Sequence, residues 1–307
     1  MVLTDLERAC LERHGGNIDS EPTAPPETAE QWKSLIIELS LEVGRRVRHA
    51  RTQDFGGNTE FKGDGSPVTT LEQDIERWIE DQLAIRAPGT HLAGEESGGA
   101  IQPTGATLVI DPIDGTWAFL GRGDTSAVAV ALFVDGEIVA AVVVNPATAE
   151  LVHASSTSQT RLMQLSALGE EAQGWALPLE GYQSERPLVR AQTGRSGARM
   201  LGLLQDAWRR QELAIVSVPG GSPALALALV SKGVITYVNE WAGKAASPYD
   251  LAAGIFLVRR AGGDVIDLDG SPVDPVVHRG PFVAGMNPRH RETVRAIVHA
   301  SRLEDRP

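Results

Sequence analysis

The chain is short of cysteine, of aromatic residues and of any long apolar run. Cys10 is the only cysteine in 307 residues, which excludes an internal disulfide and points to a reducing compartment, so a cytoplasmic protein is the expectation. No run of about 18 apolar residues occurs, and no membrane span is expected. The opening Met1-Val2-Leu3-Thr4-Asp5 lacks a basic flank followed by an apolar stretch and does not read as a signal peptide. Positive charge is scarce as well: 28 Lys and Arg against 40 Asp and Glu give a net charge of −12, which argues against nucleic acid as the partner. Anionic small molecules stay open, because bound divalent cations reverse the local sign of a site. The rest is ordinary, at 42% hydrophobic and 22% charged, and the length suits two packed domains or one large one.

Residues 1–28 read as an arm ending in Ser20-Glu21-Pro22-Thr23-Ala24-Pro25-Pro26. Thr28 with Gln31 forms a capping box for a helix carrying Trp32, Leu35, Ile36, Leu39, Val43 and Val47, predicted to end near Asp54-Phe55-Gly56-Gly57. A second amphipathic helix carries Leu71, Ile75, Trp78, Ile79 and Leu83. Strands are predicted at 107–110, 126–134, 137–144 and 150–154, with Asp135-Gly136 as a hairpin turn. The polar stretch 155–186 reads as irregular, and the junction is placed at its start, separating an α+β domain (29–155) from an α/β domain (156–307). Beyond it, strands at 187–192, 213–218 and 234–238 alternate with helices at 197–209 and 221–232. A helix at 248–261, strands at 263–267 and 281–285, and a helix at 287–302 follow.

The chemistry concentrates in Leu108-Val109-Ile110-Asp111-Pro112-Ile113-Asp114-Gly115-Thr116. A covered strand stops at a proline and leaves two carboxylates close together, which is costly without a cation between them. Gly115 and Thr116 follow where a new helix would present free N–H groups to a phosphate. Gly94-Glu95-Glu96-Ser97 adds carboxylates on a glycine-rich stretch. In Ser247-Pro248-Tyr249-Asp250, serine caps a helix, proline starts it and Asp250 falls in its first turn. Each piece has a plainer reading, as surface, turn or cap. Together they supply the several oxygens that Mg²⁺ requires.

These motifs, in this order, resemble the inositol monophosphatase family of Mg²⁺-dependent, lithium-sensitive phosphatases. The match rests on Gly94-Glu95-Glu96-Ser97, on Asp111-Pro112-Ile113-Asp114-Gly115-Thr116, and on Tyr249-Asp250-Leu251-Ala252-Ala253-Gly254 with Ala261-Gly262-Gly263. It covers the chain from roughly residue 30 onward. The resemblance implies an α/β protein built as a layered α/β/α/β/α sandwich, commonly a homodimer, with two or three Mg²⁺ ions per site. Glu95, Asp111 and the carbonyl of Ile113 would hold one ion, and Asp111, Asp114 and Asp250 a second. Gly115 and Thr116 would donate N–H groups to the phosphate of a small phosphorylated metabolite, beside Asp114. A metal-activated water would attack phosphorus, its proton drawn off by Thr116 and a carboxylate behind it, with Glu95 also catalytic. Gly221 and Ser222, with Glu240 and Lys244, are the candidates to contact the leaving group.

The chain departs from the family pattern in three places. After Pro67-Val68-Thr69-Thr70-Leu71 the carboxylate behind the threonine is Glu72, where the family has Asp. Asp74 cannot replace it, because a helix turns about 200° over two residues. Trp117-Ala118-Phe119 stands where an Asn often precedes Phe, and Tyr249 replaces the common Trp, as in the histidinol-phosphatase branch. The expected activity is hydrolysis of an inositol phosphate or a related sugar or polyol phosphate. Histidinol phosphate and a nucleotide 3′-phosphate are alternatives, as is a silent homologue that only binds a phosphometabolite.

Overall fold

In the computed structural model, which describes residues 26–52, 59–61, 67–166, 172–180, 184–193, 197–240 and 247–303, the first described element is helix α1 (Ala29–Ala50). Its Thr28–Gln31 capping box forms as the sequence predicts. The helix stops short of the glycines, because the Arg51 and Thr52 N–H groups fold back onto the carbonyls of Val47 and His49. A small hairpin, β1 (Thr59–Phe61) and β2 (Pro67–Thr69), leads into α2 (Thr70–Arg86). Most of the expected N-terminal arm lies outside the described residues, as does Lys244.

Seven strands form the first sheet: β3 (His91–Gly94), β4 (Ala106–Asp114), then, after the short helix α3 (Thr116–Leu120), β5 (Ala127–Val134), β6 (Glu137–Asn145), β7 (Glu150–Ser155), β8 (Arg161–Leu165) and β9 (Ala172–Ala176). Their spatial order follows the chain, and only β3 and β4 run parallel. Asp135 and Gly136 both take positive φ, the twist a two-residue hairpin requires. The stretch read as irregular contains β8 and β9, so the sheet continues past residue 155. These outer strands bury little beyond Leu162 and Met163, and β9 is the last strand of the sheet among the described residues, so their apolar pattern is weak.

The second sheet holds β10 (Leu188–Thr193), β11 (Ile215–Ser217), β12 (Thr236–Glu240), β13 (Asp264–Asp267) and β14 (Phe282–Gly285) in the order β11-β10-β12-β14-β13. Helices α4 (Ala198–Arg209), α5 (Pro223–Ser231), α6 (Pro248–Arg260) and α7 (Pro288–Leu303) are interleaved.

Alternation along each strand assigns the layers. Leu108 and Ile110 face α1 and α2, whereas Val109 faces α5 and α6. Those two helices also pack on Tyr237, Phe282 and Ala284 of the second sheet. Val189, Ala191 and Val238 turn to the opposite side, against α4 and α7. The result is five layers, α/β/α/β/α. Helix α5, Pro223-Ala-Leu-Ala-Leu-Ala-Leu-Val-Ser, is apolar all round because it is covered on both sides. No helix among the described residues is long and apolar enough to cross a membrane.

Candidate active site

Strand β4 delivers Asp111 and Asp114, both buried, at its carboxyl end. In a regular strand these positions project to opposite faces. The strand does not stop at Pro112 as the sequence suggests but runs through it to Asp114, because its pairing with β5 slips between the two aspartates and needs no N–H from the proline. The irregularity lets their carboxylates converge. Oxygens of Asp111, Asp114 and Asp250 lie within 4.8 Å of one another. The Glu95 carboxyl lies beside that of Asp111, whose Oδ1 accepts the Ile113 N–H at 2.9 Å.

Burial first, then the charges of Glu95, Asp114 and Asp250, push the Asp111 carboxyl well above its usual range. Asp114 is raised likewise by burial and by Asp250, against the opposing bonds from Ser222 and Ala224. A cluster in this condition resists carrying its full negative charge unless cations share it. The donors are all hard oxygens, the set that Mg²⁺ or Ca²⁺ takes, so the residues present fit a divalent cation.

Two of the carboxylates are held by the same device. Asp250 is the third residue of α6, and its Oδ2 accepts the Ser247 N–H at 2.7 Å and the Ser247 hydroxyl at 2.8 Å. Glu72 is the third residue of α2, and its Oε2 accepts the Thr69 N–H at 2.6 Å and the Thr69 hydroxyl at 2.9 Å. Each spends one oxygen on its own helix cap, which fixes the side chain. The other Glu72 oxygen, Oε1, accepts the Thr116 hydroxyl at 3.1 Å. That hydroxyl is also 3.2 Å from the Ile113 carbonyl, so one proton is divided between two acceptors. Burial pushes the Glu72 carboxyl up to about 7, despite the bonds from Thr69 and Thr116. Asp74 points away, exposed and paired with Arg77.

Gly115 has φ 85°, and a Cβ there would meet the Ser222 nitrogen at 2.8 Å, so the loop before α5 is pressed against the turn after β4. Ser222 is fully buried; its hydroxyl donates to Asp114 Oδ2, which also accepts the Ala224 N–H at 2.9 Å. Its N–H is taken by the Thr125 carbonyl at 2.8 Å, so Ser222 supports Asp114 from behind. Glu240 ends β12, buried, with Arg302 of α7 at 3.5 Å. It lies outside the close group of Asp111, Asp114 and Asp250.

Sequence reading overlooked Glu76. Buried one turn beyond Glu72, it accepts the N–H groups of Glu96 at 3.0 Å and Ser97 at 2.7 Å and thereby holds the turn that carries Glu95. A Cβ at Gly94 would fall 2.2 Å from its Oε2, which is why that turn opens with glycine. The available signal was the i, i+4 spacing of Glu72 and Glu76 on one helical face.

The profile of the inositol monophosphatase family matches residues 28–303. The chain belongs to this family. Membership places it among phosphoric monoester hydrolases that act on small phosphorylated substrates. An inositol-1-monophosphatase of Mesorhizobium japonicum is 27% identical over 277 residues, spanning 86% of this chain and 97% of that protein. The histidinol-phosphatase of Mycobacterium tuberculosis is 30% identical over 255 residues, spanning 76% and 88%. Among solved structures, Mycobacterium tuberculosis SuhB superposes with a TM-score of 0.67 at 25% identity, covering 90% of this chain and 98% of that one. The extragenic suppressor protein suhB of Bartonella henselae gives 0.68 at 24%, covering 86% and 98%, and supports the fold.

Proposed function

We propose that this family member is a Mg²⁺-dependent phosphomonoesterase acting on an inositol phosphate or a related polyol phosphate. The observation that carries the reading is the convergence of the Asp111, Asp114 and Asp250 oxygens beside the bonded Thr116–Glu72 pair. Glu95, Asp111, the Ile113 carbonyl, Asp114 and Asp250 would hold the cations. When bound, these supply charge to the phosphoryl oxygens and acidify water. The N–H groups of Gly115 and Thr116, at the start of α3, orient the phosphate. The Thr116 hydroxyl accepts the proton of the attacking water as it passes its own to Glu72 Oε1, and burial of Glu72 makes that carboxylate a competent base near neutral pH.

We extend the homodimeric state and lithium sensitivity of the family to this chain as parts of the same proposal. Histidinol phosphate is the second reading, favoured by Tyr249 before Asp250 and by the 30% identical histidinol-phosphatase. Phosphate release is to be measured from inositol 1-phosphate, glycerol 2-phosphate, histidinol phosphate and a nucleoside 3′-phosphate, with Mg²⁺ and with chelator. Mg²⁺-dependent release led by inositol 1-phosphate is expected. Absence of release from every ester, despite Mg²⁺ binding measured by calorimetry, would identify a silent homologue.

A further inference from the structure

Strands β10 and β12 are parallel neighbours, and open α/β sheets bind ligands at the carboxyl ends of such strands. Their register sets Gln192 opposite Asn239 near that end and Arg190 opposite Tyr237 two residues behind it. Tyr237 packs toward α5 and α6, and alternation along the strands puts the other three on that same face. Three of the four are joined by hydrogen bonds. Asn239 Nδ2 donates to the Tyr237 hydroxyl at 2.9 Å, that hydroxyl donates to Gln192 Oε1 at 2.7 Å, and Gln192 Nε2 donates to the Gly221 carbonyl at 2.7 Å. The next residue is Ser222, whose hydroxyl rests on Asp114. This face is therefore continuous with the acidic cluster, and the buried Tyr237 hydroxyl is within electrostatic reach of Asp114, Arg190 and Asp250.

Arg190 is the exception. It is half-buried, yet it makes no hydrogen bond and no ion pair among the described residues. The exposed Asp124, in the loop after α3, attracts it from a distance without closing to a pair. Five N–H donors have been brought partly out of water with no acceptor among the described residues, a cost that folding tolerates where a ligand completes the bonds. A guanidinium is planar, permanently charged and suited to bidentate contact with carboxylate or phosphate.

We propose that Arg190 is the leaving-group anchor of this active site, selecting phosphomonoesters whose leaving group carries a second anionic group, a carboxylate or another phosphate. The proposal rests on the phosphatase reading above and narrows it to polyol phosphates that carry a second phosphate or a carboxylate, which should outrank inositol 1-phosphate, whose leaving group is neutral. It also disfavours leaving groups that are cations, such as that of histidinol phosphate.

Three phosphonates of similar length provide the test: propylphosphonate, 2-carboxyethylphosphonate and ethane-1,2-diphosphonate, titrated calorimetrically into the full chain with Mg²⁺. The wild type should bind the carboxylate or the diphosphonate roughly 10- to 100-fold more tightly than the alkyl compound, the range of a charge-assisted bond. The tighter of the two charged compounds identifies the second group. Arg190→Met should erase the preference, and Arg190→Lys should keep part of it. Equal affinities in the wild type, or a preference that survives Arg190→Met, overturns the proposal. Should Arg190→Met fail to fold, judged by its thermal midpoint, Arg190→Gln makes the same comparison. Phosphonates are not hydrolysed, so an Arg190-dependent preference in a protein that releases no phosphate from any ester would sink the proposed activity and leave the anchor standing.

Discussion

The Thr116 hydroxyl donates to Glu72 Oε1 at 3.1 Å across 44 residues of sequence, joining the start of α3 to the first turn of α2. Glutamate at this position spans the distance that the family bridges with aspartate, and the same side chain still closes the cap at Thr69.

Glu72→Gln separates the two duties of that carboxylate. Turnover should fall by roughly 10²- to 10⁴-fold, the usual contribution of a positioned base. Thr116→Ala added to it should cost little more, because the two act as a unit. Stability should move the other way. Burial raises the Glu72 carboxyl from 4.5 to about 7 in the metal-free fold, so its contribution to stability is present in acid and is lost as pH rises to about 7. Metal-free Glu72→Gln should therefore be more stable than wild type at pH 8, by about 1–3 kcal/mol at most, and lose that advantage near pH 5. Denaturant titration at the two pH values reads this directly.

Mg²⁺ should stabilise the protein by relieving the repulsion among Asp111, Asp114 and Asp250. The gain is about 2.7 kcal/mol at a hundredfold excess over Kd, and chelator should reverse it. Asp114→Asn should abolish the thermal shift with Mg²⁺ and reduce turnover by roughly 10³-fold or more. Near-normal activity in that variant would contradict the site assignment.

Glu76→Gln tests a support that touches neither metal nor substrate. A carboxamide has one acceptor oxygen for the two N–H groups of Glu96 and Ser97. One is left unpaired, at about 1–3 kcal/mol. The turn carrying Glu95 loosens, so the Mg²⁺ concentration for half-maximal activity should rise, and saturating Mg²⁺ should restore most of kcat. A loss of kcat that Mg²⁺ leaves unchanged would assign Glu76 a different role.

Acid stability should depend in part on Glu30. Burial opposes its ionisation, but bonds from Lys33, Ser155 and Thr157 outweigh it and lower the carboxyl from 4.5 to about 2. The folded pKa lies below the unfolded one, so the stabilisation is present above about pH 4.5 and is lost as pH falls toward 2. Glu30 is 43% exposed, and solvent screening limits the effect to about 1 kcal/mol. The gap in Tm between wild type and Glu30→Gln should narrow from about pH 5 to about pH 3.

The elements that sequence periodicity revealed are those buried on one face or bounded by a strong turn: α1 with its capping box, the β5–β6 hairpin at Asp135-Gly136, and α6 behind Ser247-Pro248. Strands β3, β8 and β9 were missed because they lie toward the edges of the sheet, where few apolar residues are needed. Side chains carrying their own charge were legible in the site, above all Asp111, Asp114 and Asp250. What supports them from another element was not. The bond from Ser222 to Asp114, the grip of Glu76 on the Glu96 and Ser97 N–H groups, and the isolation of Arg190 all arise from tertiary placement that no local pattern encodes.

The slip in pairing between Asp111 and Asp114 has a consequence for how such a site drifts over time. A lengthened side chain can be absorbed, as Glu72 absorbs an extra methylene by doubling as a cap. A backbone unit gained or lost between the two aspartates has no such remedy, because it would reverse the phase of the strand and send one carboxylate into the wrong layer. Divergence in this chain is therefore free to rewrite side chains around the centre, while the count of residues from 111 to 114 is closed to revision.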